Sequence, residues 1–61
     1  MPVVTVQILE GRTVEQKREI AAAITDVMVK IAKAPADSTM VILQDVPKSN
    51  WAKAGKLYLD R

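Results

Sequence analysis

The sequence predicts an α/β protein, a short β-α-β unit whose two strands run parallel. Three observations carry that expectation. An opening run rich in β-branched residues alternates its faces, a middle segment repeats apolar residues at helical spacing, and a second apolar run follows a proline. A helix of about twenty residues between two strands is the length that a right-handed parallel crossover requires, because parallel strands cannot be joined by a tight hairpin.

Each element follows from its residues. In Val3–Leu9, Val4, Val6 and Ile8 make one wholly apolar face, while Val3, Thr5, Gln7 and Leu9 make a mixed one. Glu10-Gly11-Arg12 reads as a tight connection. Thr13-Val14-Glu15-Gln16 matches a capping box, in which the threonine hydroxyl and the glutamine side chain satisfy orphan backbone donors, so a helix starts at about Val14. Ile20, Ile24, Val27 and Ile31, with Ala21 and Met28 beside them, form one buried stripe. Most charges fall off that stripe, and Asp26 and Lys30 are spaced for an i,i+4 pair. Pro35 ends the helix, residues 39–45 form the second strand, and residues 47–56 form a loop. Leu57-Tyr58-Leu59 has the composition of a further short strand, or of an arm that pairs with a neighbour.

The 61 residues form one domain, 1–61. A single core below ~70–80 residues rarely yields more than ~3–5 kcal/mol unaided, so such a chain needs disulfides, a metal or partner subunits. The absence of Cys and His removes disulfides and the usual zinc, copper, haem and iron–sulfur ligands, and the expectation is of no metal and no cofactor. Partner subunits remain. A β-α-β unit has one helix layer, so its other sheet face must be covered by copies of itself, which points to a higher homo-oligomer.

Nine Lys and Arg stand against seven Asp and Glu. The basic end is residues 47–61, where Lys48, Lys53, Lys56 and Arg61 face only Asp60. That cluster lacks the density and aromatic interleaving of a nucleic-acid surface, and a small anionic ligand explains it as well. No window reaches ~18 consecutive apolar residues and no charged leader precedes an apolar run, so the expectation is a cytoplasmic protein with neither nucleic-acid nor membrane partner.

Without His or Cys, catalysis is left to carboxylates, Lys, Tyr, Arg or the chain terminus. Pro2 stands out. A small second residue permits removal of Met1, and a terminal proline carries a basic secondary amine that an internal one lacks. Ordinary α-amino groups titrate at ~7.7–8.0, and burial beside a cation disfavours the charged form, which would make a general base. The plainer alternative is a proline that only keeps the chain extended.

Pro2, the strand that follows, Leu9-Glu10-Gly11-Arg12-Thr13, Glu15-Gln16-Lys17 and Ala34-Pro35 together resemble the 4-oxalocrotonate tautomerase (2-hydroxymuconate tautomerase) family. The likeness covers nearly the whole chain, and the Pro-after-Met start with Leu-Glu-Gly-Arg at this offset is specific to that family. It implies a β-α-β protomer, dimers with a four-stranded sheet and two helices, and a hexamer built as a trimer of dimers. It also implies a cofactor-independent isomerase of aromatic degradation, in which the terminal proline shuttles a proton between the enol and keto forms of a 2-oxo acid. Pro2 takes that part here, and Arg12 matches the arginine that grips a substrate carboxylate with two parallel hydrogen bonds. Trp51 falls where the family has an aromatic wall, usually phenylalanine, and Leu9 matches a position whose backbone N–H holds substrate. Trp51 also suits an interface anchor.

One position departs. The best-known members carry a second arginine early in the second strand, supplied by a neighbouring subunit, where this chain has Met40. A thioether offers no charge, and loss of one such donor costs on the order of 2.7–4 kcal/mol of transition-state stabilisation. Lys48, Lys53 and Arg61 are candidate substitutes. A monoacid with one carboxylate for Arg12 fits better than a diacid. Two alternatives stand beside this reading. One is a hydratase or dehalogenase that uses Glu10, Asp45 or Asp60 to activate water; the other is a non-catalytic oligomeric binding module.

Overall fold

In the computed structural model, which describes residues 1–61, strand β1 (Val3–Leu9) is followed by helix α1 (Val14–Lys30) and strand β2 (Met40–Val46). β1 and β2 pair in parallel, with Val3 opposite Met40 and Leu9 opposite Val46. The expected β-α-β unit is therefore the frame of the chain. The second strand begins and ends one residue later than the apolar run suggested. Thr39 is held outside it, because its hydroxyl donates to the Pro35 carbonyl at 2.8 Å.

The helix begins as its sequence dictates. Thr13 is extended, its Oγ1 accepts the Gln16 N–H at 3.1 Å, and the Gln16 side chain accepts the Thr13 N–H at 2.9 Å. Asp26 and Lys30 pair at 3.0 Å. At the other end Lys33 takes a left-handed turn (φ 58°) and the Ala34 N–H donates to the Met28 carbonyl, so the helix stops before Pro35 is reached.

The packed stripe is rotated from the expected one. Lys17, Ile20, Ala21, Ile24, Thr25 and Met28 are half-buried, whereas Val27 and Ile31 are 51% and 77% exposed. Ala21 and Thr25 belong to this strip, and the Thr25 hydroxyl donates to the Ala21 carbonyl at 2.8 Å. Lys17 joins the stripe because its ammonium reaches Asp45 at 2.5 Å. Val27 and Ile31 are left as an apolar flank.

Val4, Val6, Ile8, Val41 and Leu43 form the half-buried face of the sheet. Val3, Thr5, Gln7, Met40, Ile42 and Gln44 form the exposed face. There Gln7 Nε2 donates to Gln44 Oε1 at 3.0 Å across the register.

Beyond β2 the expected loop carries more structure. A 3-10 turn at Lys48–Asn50 leads into an antiparallel hairpin of β3 (Ala52–Lys53) and β4 (Lys56–Leu57). Ala54 and Gly55 turn it with positive φ angles of 54° and 79°, the twist that suits a two-residue hairpin. Tyr58 and Leu59 belong to a second 3-10 turn, Tyr58–Asp60, and only Leu57 of the expected strand is one.

No residue of the isolated chain is buried. Its radius of gyration is 14.4 Å, where a compact chain of this length has about 10.5 Å. It exposes 4606 Å², against about 3,900 Å² for a folded monomer of this mass. No helix is long and apolar enough to cross a membrane.

Candidate active site

The residues singled out in the sequence fall into two groups at opposite ends of β1. Pro2, half-buried, precedes the strand, and its carbonyl accepts the Met40 N–H at 3.0 Å. Met40 opens β2 beside it and is 50% exposed on the uncovered sheet face, next to Val3. With Met1 attached, the Pro2 nitrogen is an amide without basicity; freed of Met1, it is a secondary amine at the mouth of a parallel strand pair.

Leu9, Arg12 and Trp51 gather at the far end. Gly11, at φ 121°, makes the bend that brings Arg12 back, and one guanidinium nitrogen donates to the Leu9 carbonyl at 3.3 Å. The remaining guanidinium N–H groups are left for an anion. Leu9 pairs with Val46, the Glu10 N–H donates to the Val46 carbonyl at 3.0 Å, and the Glu10 carboxylate accepts the Lys48 N–H at 3.4 Å. These bonds tie the arginine's connection to the turn that leads to Trp51.

Trp51 stands beside an open depression of about 280 Å³ that it shares with Gln7, Val46, Asn50 and Ala52. Its ring lies 6.1 Å from that of Tyr58, tilted by 55°, and the Arg61 guanidinium sits 4.7 Å from the Tyr58 ring centre. The Tyr58 ring thus packs obliquely beside the tryptophan, with the arginine over its own face. Gln7, Val46, Asn50 and Ala52 were not singled out in the sequence. The available signal was that Gln7 and Gln44 interrupt apolar strands at matching places, which marks a cross-strand pair once the register is known.

The two groups do not meet within one chain. From Pro2 to Leu9 is seven residues of extended backbone, about 23 Å at ~3.3 Å per residue. The candidate substitutes for the missing arginine are also dispersed: Lys48 lies in the first 3-10 turn, Lys53 in the hairpin, and Arg61 is spent on Tyr58 and on the Lys53 carbonyl at 2.9 Å. Of the candidate carboxylates, Asp45 is engaged by Lys17, Glu10 by the Lys48 amide, and Asp60 lies in the last 3-10 turn. No group of three or more His, Cys, Asp or Glu side chains is placed to hold a metal ion.

A β-α-β chain with a proline at the mouth of its first strand and an arginine at the other end has the frame of a known enzyme class, and comparison with known proteins gives its family. The model of the tautomerase enzymes matches residues 2–61. A probable tautomerase of Streptococcus pyogenes is 39% identical over 57 residues, which is 93% of both chains. A crystal structure of a 4-oxalocrotonate tautomerase homologue superposes with a TM-score of 0.94 at 36% identity, covering 100% of this chain and 97% of the other. A heterohexameric 4-oxalocrotonate tautomerase from Chloroflexus aurantiacus is 30% identical with a TM-score of 0.92, covering 98% and 97%. The chain belongs to the 4-oxalocrotonate tautomerase family of the tautomerase superfamily. It is an isomerase.

Proposed function

We propose that this chain is a cofactor-independent tautomerase for the enol and keto forms of a 2-oxo monocarboxylic acid, with Pro2 as general base once Met1 is removed. The enol O–H gives its proton to the proline nitrogen as the C2–O bond becomes a carbonyl. The C2–C3 double bond opens toward the proline, C3 takes the proton back, and the amine is regenerated. Nothing is consumed and no redox step occurs. The rigid ring at the start of a strand fixes the direction of both transfers, a contribution of about 10²–10⁴-fold for a well-placed base.

Arg12 binds the substrate carboxylate, Leu9 offers its backbone N–H, and Trp51 supplies an apolar wall that excludes water and strengthens each charge contact. Pro2 and Leu9, whose carbonyl Arg12 contacts, stand about 23 Å apart in one chain. Two chains packed side by side and antiparallel bring the start of one β1 to the end of the other, so the site is shared between subunits. A dimer with a four-stranded sheet and two helices, repeated three times as a hexamer, covers the exposed sheet face and the Val27–Ile31 flank. The heterohexamer among its relatives supports that assembly.

The observation that carries the proposal is the placement of Pro2 and Arg12 at the two ends of one strand, in a chain of this family. Met40 narrows the substrate to a monoacid, since it leaves the second carboxylate of a diacid without a cation. Engagement of Glu10 and Asp45 elsewhere favours tautomerisation over water activation. The test is ketonisation of phenylenolpyruvate by protein whose intact mass lacks Met1. Turnover should fall by orders of magnitude in Pro2→Ala with the oligomer intact. Full activity in that variant would remove Pro2 from the mechanism.

A further inference from the structure

The depression beside Trp51 has a composition that the proposed reaction leaves unexplained. Its apolar lining is Val46, Trp51 and Ala52, and its only polar side chains are the primary amides of Gln7 and Asn50. No cation lines it. A second carboxylate placed there would lose its hydration and gain only neutral dipoles, which is a costly exchange. An uncharged hydroxyl or carbonyl is matched instead, because each amide both donates and accepts.

The two amides are not equally free. Gln7 Nε2 donates one hydrogen to Gln44 Oε1 at 3.0 Å, which fixes the plane of the Gln7 amide and leaves its carbonyl oxygen and second hydrogen for another partner. Gln44 is thus a positioning residue. Asn50 closes the 3-10 turn that precedes Trp51, and its backbone N–H is held by the Pro47 carbonyl at 2.8 Å. The depression is tied to the arginine as well. Val46 in its wall pairs with Leu9, whose carbonyl accepts from Arg12. Trp51, the proposed apolar wall of the site, belongs to the lining itself, so an acid held against that wall has the two amides beside it.

We infer that Gln7 and Asn50 are specificity-determining residues, which select a 2-enol monocarboxylate carrying an uncharged hydrogen-bonding group at the end remote from its carboxylate. The inference rests on the tautomerase reading and adds the class of substrate to it. A site built to hydrogen-bond such a group discriminates against the analogue that lacks it, because its own polar atoms are then left unpaired.

The experiment compares kcat/KM for 4-hydroxyphenylenolpyruvate and phenylenolpyruvate in the Met1-processed protein. The expected result is a preference for the hydroxylated acid that falls about tenfold in Gln7→Leu and in Asn50→Leu, the equivalent of one neutral hydrogen bond. Asn50→Ser, which replaces the amide with a hydroxyl that still donates and accepts, should retain part of the preference. Gln7→Leu/Gln44→Leu removes the strand pair together and leaves no orphaned amide, so it checks that the loss is not one of folding. Its native mass should equal that of the parent, and its preference should match that of Gln7→Leu. Turnover of both acids with the same ratio in parent and variants overturns the amide assignment while leaving Pro2 and Arg12 in place. Turnover of neither acid by the processed parent overturns both.

Discussion

Ile42 tests whether the exposed sheet face is an assembly surface. It lies in the middle of β2, opposite Thr5, and is 50% exposed in the single chain. Full burial of such a side chain is worth about 1.5–3 kcal/mol, so covering the remaining half adds roughly 1 kcal/mol per protomer. Ile42→Asp removes that gain and sends a carboxylate into the same contact, where desolvation costs several kcal/mol more. The sum equals or exceeds the ~3–5 kcal/mol that a chain of this size commands in total. Because no residue is buried in the isolated chain, losing assembly means losing the fold. Sedimentation velocity should therefore show a slow, single-chain species, and far-UV circular dichroism at the same concentration should show lost helix. Ile42→Ala, without the charge, should assemble but melt earlier, with a midpoint that rises with protein concentration. An Ile42→Asp protein that sediments and melts like its parent would refute the reasoning, since it would mean that this face stays in water.

Ala54→Gly should stabilise the hairpin by about 0.5–1 kcal/mol, because an alanine held at φ 54° bears a left-handed strain that glycine does not. A raised denaturation midpoint with unchanged turnover checks it, and a lowered one speaks against strain at that turn. Met40→Arg should shift the ratio of kcat/KM toward the diacid 2-hydroxymuconate and away from phenylenolpyruvate by about tenfold or more, since it restores a donor worth on the order of 2.7–4 kcal/mol in such sites. An unchanged ratio would detach position 40 from substrate choice.

Much of the frame was legible because it is local. The Thr13–Gln16 box, the Asp26–Lys30 pair and the alternation of β1 depend on residues a few positions apart, and each forms as read. The parallel pairing followed from the length of the helix between the strands. What escaped was set by longer contacts or by unfavoured backbone. Val27 and Ile31 continue the apolar spacing yet stay exposed, whereas Lys17 is drawn in by Asp45, 28 residues away. The hairpin at residues 52–57 was read as loop because an alanine at positive φ carries no signature in a sequence; only Gly55 hinted at a turn. At the candidate site, Pro2 stood out by its own chemistry, whereas Leu9, Arg12, Met40 and Trp51 were marked by the resemblance. Gln7, Val46, Asn50 and Ala52 became visible only when the strand register and the 3-10 turn placed them around the tryptophan.

The length of β1 joins the folding of this chain to its chemistry. Seven extended residues hold the amine end and the arginine end about 23 Å apart, so the proposed base and carboxylate clamp require two chains. The same chain exposes about 700 Å² more than a folded monomer of its mass. The proposed oligomer therefore answers both deficits: the packing that would bury Ile42, Val27 and Ile31 belongs to the same assembly that would bring Pro2 to Arg12. It follows that lost activity in a variant at these faces says nothing about chemistry unless its oligomer is shown to be intact. A change of substrate preference at constant assembly, as expected for Met40→Arg and Gln7→Leu, does report on the site itself.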